Sequence, residues 1–108
     1  MSIIKIVTFV PLTHSEKVRM AMGDSGAGVI GNYDHCSFSS VGTGRFIPRK
    51  GAKPFIGQVG KSEEVDEERI EMICERSKAK KVLSALRYAH PYEEPAIDIY
   101  PLISEENL

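Results

Sequence analysis

The sequence predicts an α+β fold of four strands and two helices in the order β-α-β-β-α-β. Three observations carry this reading. The chain opens on a β-branched run, Ile3-Ile4-Lys5-Ile6-Val7-Thr8-Phe9-Val10. Two stretches place apolar residues at helical spacing, and each follows a strand pattern. A long glycine-rich passage separates the two middle strands. At 108 residues with 42% apolar content, one domain spanning 1–108 is expected, with enough core to exclude disorder.

The first strand ends at Pro11. Its faces are both largely apolar, with Ile4, Ile6 and Val10 on one side and Ile3, Val7 and Phe9 on the other. An antiparallel strand with one wet face alternates, so both faces are expected to be covered, the second by another subunit. Thr13 and Glu16 have capping-box spacing, and Val18, Ala21 and Met22 follow at helical intervals. A helix is expected over 14–23, stopped by Asp24-Ser25-Gly26.

The second strand is expected over 35–41. Residues 42–60, with five glycines, two prolines and four basic residues, read as a long excursion with a short extended piece around Arg45-Phe46-Ile47. The acidic run 63–68 reads as a solvated face leading into a third strand, in which Ile70, Met72 and Cys74 share one side. Ser77 is positioned to cap a second helix with the stripe Val82, Leu83, Leu86 and Ala89, which Pro91 stops. Ala96 to Tyr100 forms the last strand. This order is the ferredoxin-like βαββαβ sandwich, here with an embellished, glycine-rich central hairpin.

Composition excludes several functions. A formal net charge of −1 provides no field for nucleic acid or a membrane surface. No stretch reaches the ~20 apolar residues that span a bilayer. The opening run lacks a basic leader, and Cys36 and Cys74 have no C-x-x-C spacing. Reduced thiols and a cytoplasmic setting are therefore expected.

Two phosphate-binding motifs match in letters and fail in context. Gly26-Ala27-Gly28-Val29-Ile30-Gly31 fits G-x-G-x-x-G, yet it follows a helix and opens none, so no dinucleotide site is expected. Gly60-Lys61-Ser62 ends like a P-loop, but Phe55 stands where the first glycine is required. The better anion candidate is the segment containing Arg45, Arg49, Lys50, Lys53 and Lys61, where side chains and free backbone N–H groups could cradle a ligand; its plain alternative is a mobile, solvated loop. Thr43, Gly44, Arg45 and Lys53 are the candidate ligand-binding residues. His35, Cys36, His90, Glu93 and Glu94 supply nitrogen, sulfur and carboxylate donors suited to copper or zinc. Their spacing is not a compact motif, so the fold or a neighbouring subunit would have to unite them. Cys36 beside a histidine could also be an activated nucleophile, the weakest of these readings.

Two stretches are more specific. Residues 27–38 (AGVIGNYDHCSF) with 42–48 (GTGRFIP), and Gly51-Ala52-Lys53-Pro54 with the closing HPYEEPAIDIYP of 90–101, resemble the domain inserted into YqfO-type members of the Nif-three-like family. The resemblance runs from about Ile4 to Leu102. His90-Pro91-Tyr92-Glu93 also resembles the end of CutA, a trimeric ferredoxin-like protein associated with divalent metal tolerance. The resemblance implies a CutA/PII-like fold and self-association as dimer or trimer, with clefts between neighbouring subunits. It also implies that the family's dinuclear metal centre, which lies in the larger flanking domain, has no counterpart here. The expected function is a non-enzymatic, homo-oligomeric small-molecule or metal-binding module. The alternatives are a copper- or zinc-binding protein, a small enzyme with Cys36 as nucleophile, and a domain that docks on a larger protein.

Overall fold

Strand β1 (Ile3–Pro11) is the centre of the sheet, and the rest of the chain is arranged around it. The computed structural model describes residues 2–108. β3 (Glu63–Glu75) runs antiparallel along one side of β1, and β4 (Ile97–Pro101) along the other. β2 (Phe38–Phe46) pairs antiparallel with the outer edge of β3, giving the order β2-β3-β1-β4. This is the ferredoxin-like arrangement that the element order predicted.

Helices α1 (Ser15–Asp24) and α2 (Ala79–Ala89) cover one face of the sheet. From β1 they bury Ile4, Ile6 and Val10, and from β3 Ile70, Met72 and Cys74. Each helix contributes one stripe, Val18 and Met22 from α1 and Val82, Leu86 and Ala89 from α2. Each large apolar side chain fully buried here stabilises the fold by roughly 1.5–3 kcal/mol. Thr8 is the polar member of this face. Its hydroxyl donates to the Ala96 carbonyl at 2.9 Å, which satisfies it and fixes the start of β4.

The end of α1 follows the expected chemistry. Gly26, at φ 113°, takes the left-handed turn, while its N–H donates to the Gly23 carbonyl and that of Ala27 to the Met22 carbonyl. This is a Schellman termination. The helix starts do not follow the expected chemistry. α1 is led in by a short 3-10 turn (Leu12–His14), and Thr13 spends its hydroxyl on the His14 ring at 2.8 Å rather than on a helix N–H. α2 is likewise entered through a 3-10 turn (Arg76–Lys78), with Lys78 rather than Ser77 at the cap position and no side-chain cap.

The central hairpin is longer than the apolar pattern implied. β2 begins at Phe38 rather than His35 and absorbs the extended piece around Arg45. The acidic run belongs to β3 itself, pairing from Phe46↔Glu63 to Gly42↔Glu67. It is not a uniformly solvated face: Glu64 and Asp66 are exposed, while Glu67 keeps only 9% of its surface exposed. Strand pairing, a tertiary interaction, overrides the low strand propensity of glutamate.

The second sheet face has no helix over it among the described residues. Val7 is nonetheless fully buried there, beneath a paired-charge cluster. Lys5 meets Glu71 at 3.2 Å, Arg69 donates to Glu71 at 3.0 Å, and the Arg69 guanidinium lies 5.6 Å from the centre of the Phe9 ring. Arg69, and then Lys5, holds the Glu71 carboxyl below its ordinary pKa.

Candidate ligand-binding site

β1, β3 and β4 all reach the end of the sheet where α2 gives way to β4. There His90 follows α2 and Pro91 blocks another turn. The His90 ring is buried and fully engaged: Nε2–H donates to the Phe9 carbonyl at 2.8 Å, and Nδ1 accepts the Tyr92 N–H at 3.1 Å. Burial pushes the His90 pKa down, opposed by the bond to Phe9. The neutral ring therefore acts as a strut that aims Tyr92. The Tyr92 hydroxyl donates to Glu67 Oε2 at 2.7 Å, and burial together with that carboxylate pushes the phenol well above its ordinary range.

Glu67 projects from β3 onto the sheet face that carries no helix. It can lie flat there because its partner on β2 is Gly42 and its diagonal neighbour is Gly44, where a Cβ would overlap the Glu67 carboxylate. The 47–62 connection folds over the same place rather than extending into solvent. The Lys53 N–H donates to Glu93 Oε1 at 2.8 Å. The Phe55 ring packs edge-on against His14 at 5.4 Å and tilted against Tyr92 at 6.5 Å, while Phe46 meets Tyr92 at 6.1 Å. Inside this connection, the Gly60 N–H bonds the Pro48 carbonyl at 2.8 Å and the Ala52 N–H bonds the Arg49 carbonyl at 2.9 Å.

These elements border a half-open cavity of about 480 Å³, within the range of small-molecule sites. Phe9, Phe46, Phe55 and Tyr92 supply aromatic wall, and Glu67 lies at its base. A second hollow of about 340 Å³ lies on the other side of Glu67, against residues 40–44 of β2.

The structure brings together part of what the sequence singled out. Gly44, Arg45, Glu93 and Glu94 line the cavity, Lys53 braces its wall through the backbone, and Thr43 lines the neighbouring hollow. The Arg45 guanidinium is engaged with Glu64 at 3.0 Å. His35 and Cys36 lie elsewhere. Cys36 N–H bonds the Gly28 carbonyl and Gly28 N–H bonds the Ile73 carbonyl, which places both residues near the first residues of β1. Four residues of strand, roughly 13 Å, separate that level from Phe9. His35 sits between Asp24 at 2.9 Å and Asp34 at 3.0 Å, and those carboxylates raise its pKa. With both ring nitrogens occupied, His35 has none left to act as a base for Cys36. Among the described residues, no three His, Cys, Asp or Glu side chains converge on a metal position.

Two central members of the site, Glu67 and Tyr92, were not among the candidates read from sequence. Glu67 is one of five acidic residues between 63 and 68, and only the pairing of β3 with β2 distinguishes it. Tyr92 lay inside a segment read for its histidine and carboxylates. The tyrosine follows a helix-stopping proline and precedes two glutamates, which was the available signal.

No family model matches the chain. It is 52% identical over 104 residues to the Halalkalibacterium halodurans protein named GTP cyclohydrolase 1 type 2 homolog, covering 96% of this chain and 28% of that protein. The Bacillus subtilis protein of the same name is 52% identical over 98 residues, covering 91% and 26%. A Bacillus cereus protein related to NIF3 superposes with a TM-score of 0.84 at 52% identity, over 95% of this chain and 26% of that one. At the level of fold alone, the periplasmic divalent cation tolerance protein CutA of Archaeoglobus fulgidus superposes at 0.69, with 18% identity over 98% and 91% of the two chains. B. subtilis GlnK superposes at 0.63, with 13% identity over 94% and 86%. The chain spans about a quarter of the length of the curated relatives it matches. Over nearly its whole length, the chain is therefore similar to one segment, about a quarter, of the NIF3-related proteins named GTP cyclohydrolase 1 type 2 homologs, and its fold is that of CutA and GlnK.

Proposed function

We propose that this chain is a non-enzymatic, cytoplasmic small-molecule-binding module that self-associates and holds its ligand in the cavity between the sheet and the 47–62 connection. The observation that carries the reading is the half-open cavity itself. A connection rich in glycine is folded back beside the sheet by the Lys53–Glu93 bond and the Phe55 ring, with a polar pair at the base. GlnK, a fold neighbour, has been solved as an ATP complex, so this architecture is compatible with a small-molecule ligand. The cyclohydrolase name belongs to proteins of which this chain matches 28% of the length, and it is not carried onto this segment.

Self-association is supported by the sheet face without helices, where Ile3, Phe9, Ile73 and Phe38 accompany the paired charges. An organic ligand is favoured over copper or zinc because both His90 nitrogens already have partners. Metal binding by His90, Glu93 and Glu94 would have to release them.

The test is native mass spectrometry of untagged protein purified without chelators, followed by a fragment screen read by amide chemical shifts. Fragments that shift Phe55 and Tyr92, on a dimer or trimer, support the reading. A bare monomer with no fragment at these residues overturns it and favours docking on a larger protein. Copper or zinc retained by the native protein and lost in His90→Ala would favour the metal reading instead.

A further inference from the structure

Resting on the reading of the cavity as a ligand site, we infer that its ligand is a flat organic cation, of amidinium, guanidinium or arylammonium type, held by Glu67. Glu67 is the buried charge of the site, with 9% of its surface exposed. Its Oε2 accepts the Tyr92 hydroxyl at 2.7 Å. Its Oε1 lies beside Gly44 and has no hydrogen-bond partner among the described residues. None of the ion pairs of the described residues reaches Glu67; nearby Arg69 is committed to Glu71, and Arg45 to Glu64. The buried side-chain oxygens left without a partner among the described residues are Ser15 Oγ and Glu68 Oε2, so Glu67 Oε1 is instead open to the cavity, an acceptor that a ligand cation meets directly.

The surroundings select the shape and charge of that cation. Phe9, Phe46, Phe55 and Tyr92 form the walls, and aromatic faces attract a desolvated cation. Glu93 and Glu94 lie at the mouth and add negative potential. Arg45 and Arg49 also border the cavity, and they argue for an anion. Both are exposed, so solvent screens them, whereas Glu67 is mostly buried and is screened less. Gly44 completes the site by leaving room for the carboxylate.

The experiment compares two isosteres, benzamidine and neutral benzamide, titrated into the full chain and followed by amide shifts at Phe55 and Tyr92. Benzamidine is expected to bind roughly tenfold more tightly, the increment of one charge-assisted hydrogen bond. Glu67→Gln, which keeps shape and removes charge, is expected to abolish the preference. Equal affinity for the two isosteres in the wild-type protein overturns the inference whatever the variant does. Binding of anionic or neutral fragments at the same residues, without benzamidine, overturns the inference and leaves the cavity a ligand site. Silence of the cavity toward every fragment overturns both.

Discussion

The two ends of β1 each carry a histidine, and the contrast between them shows how this fold separates structure from surface. His35, level with the first residues of β1, is a half-buried ring between two carboxylates that raise its pKa. His90, at the Phe9 end, is buried, and burial drives its proton off. The same side chain is thus biased toward its charged form at one end and toward its neutral form, as a strut, at the other. The cavity lies at the end with the neutral histidine.

The largest expected effect tests that difference directly. His90→Ala removes a strut with a partner on each nitrogen and opens a space under Tyr92. It is expected to destabilise the protein by about 2–4 kcal/mol in denaturant melts. His35→Ala should leave the midpoint almost unchanged, and equal losses at the two sites would break the comparison. Tyr92→Phe comes next. It leaves the buried Glu67 carboxylate without its donor, at a cost of about 1–2 kcal/mol. Unchanged stability would mean that water satisfies the Glu67 carboxylate equally well.

Third, a histidine NMR titration should find the His35 midpoint above 6.5 and the His90 midpoint below it. The stability consequences have opposite signs. The depressed His90 contributes stability that is complete above pH 6.5 and is lost as pH falls toward its folded-state midpoint. The raised His35 contributes stability that is present below 6.5 and lost as pH rises through its folded-state midpoint, and solvent exposure keeps that contribution small. A reversed order of midpoints would sink the assignment of struts and cations.

The smallest effect belongs to Gly23→Ala. The added Cβ would overlap the His35 ring, which can swing away into solvent. Alanine gains up to about 1 kcal/mol of helix propensity over glycine, so net stability should barely change while the His35 midpoint falls back toward 6.5. An unmoved midpoint would show that the ring finds its carboxylates by another path.

The scaffold was legible in the sequence because its signals are local. The β-branched run in residues 3–10, the stripe from Val82 to Ala89 and the stop at Gly26 are each patterns read within a few residues. Helix starts were misread for the same reason in reverse. Thr13 and Ser77 have the right chemistry for caps, but the 3-10 entry turns move the cap position past them. The site was half legible. Gly44, Arg45, Lys53, Glu93 and Glu94 could be picked out by residue type, and they do meet. Glu67 could not, since its burial depends on register with β2, and His35 was grouped with His90 although the fold puts the length of a strand between them.

The bond from His90 to Phe9 bears on the edge of the sheet. β4 pairs with β1 only as far as Thr8↔Ile97, so the Phe9 carbonyl lies where the ladder has run out. An unpaired edge is a template for a foreign strand, and here an imidazole N–H closes it. Protonation of His90 keeps that N–H but takes away the lone pair that receives the Tyr92 amide. In mild acid, then, the guard over the strand edge stays in place while the turn behind it loosens, so amide exchange should quicken at Tyr92 well before β1 frays.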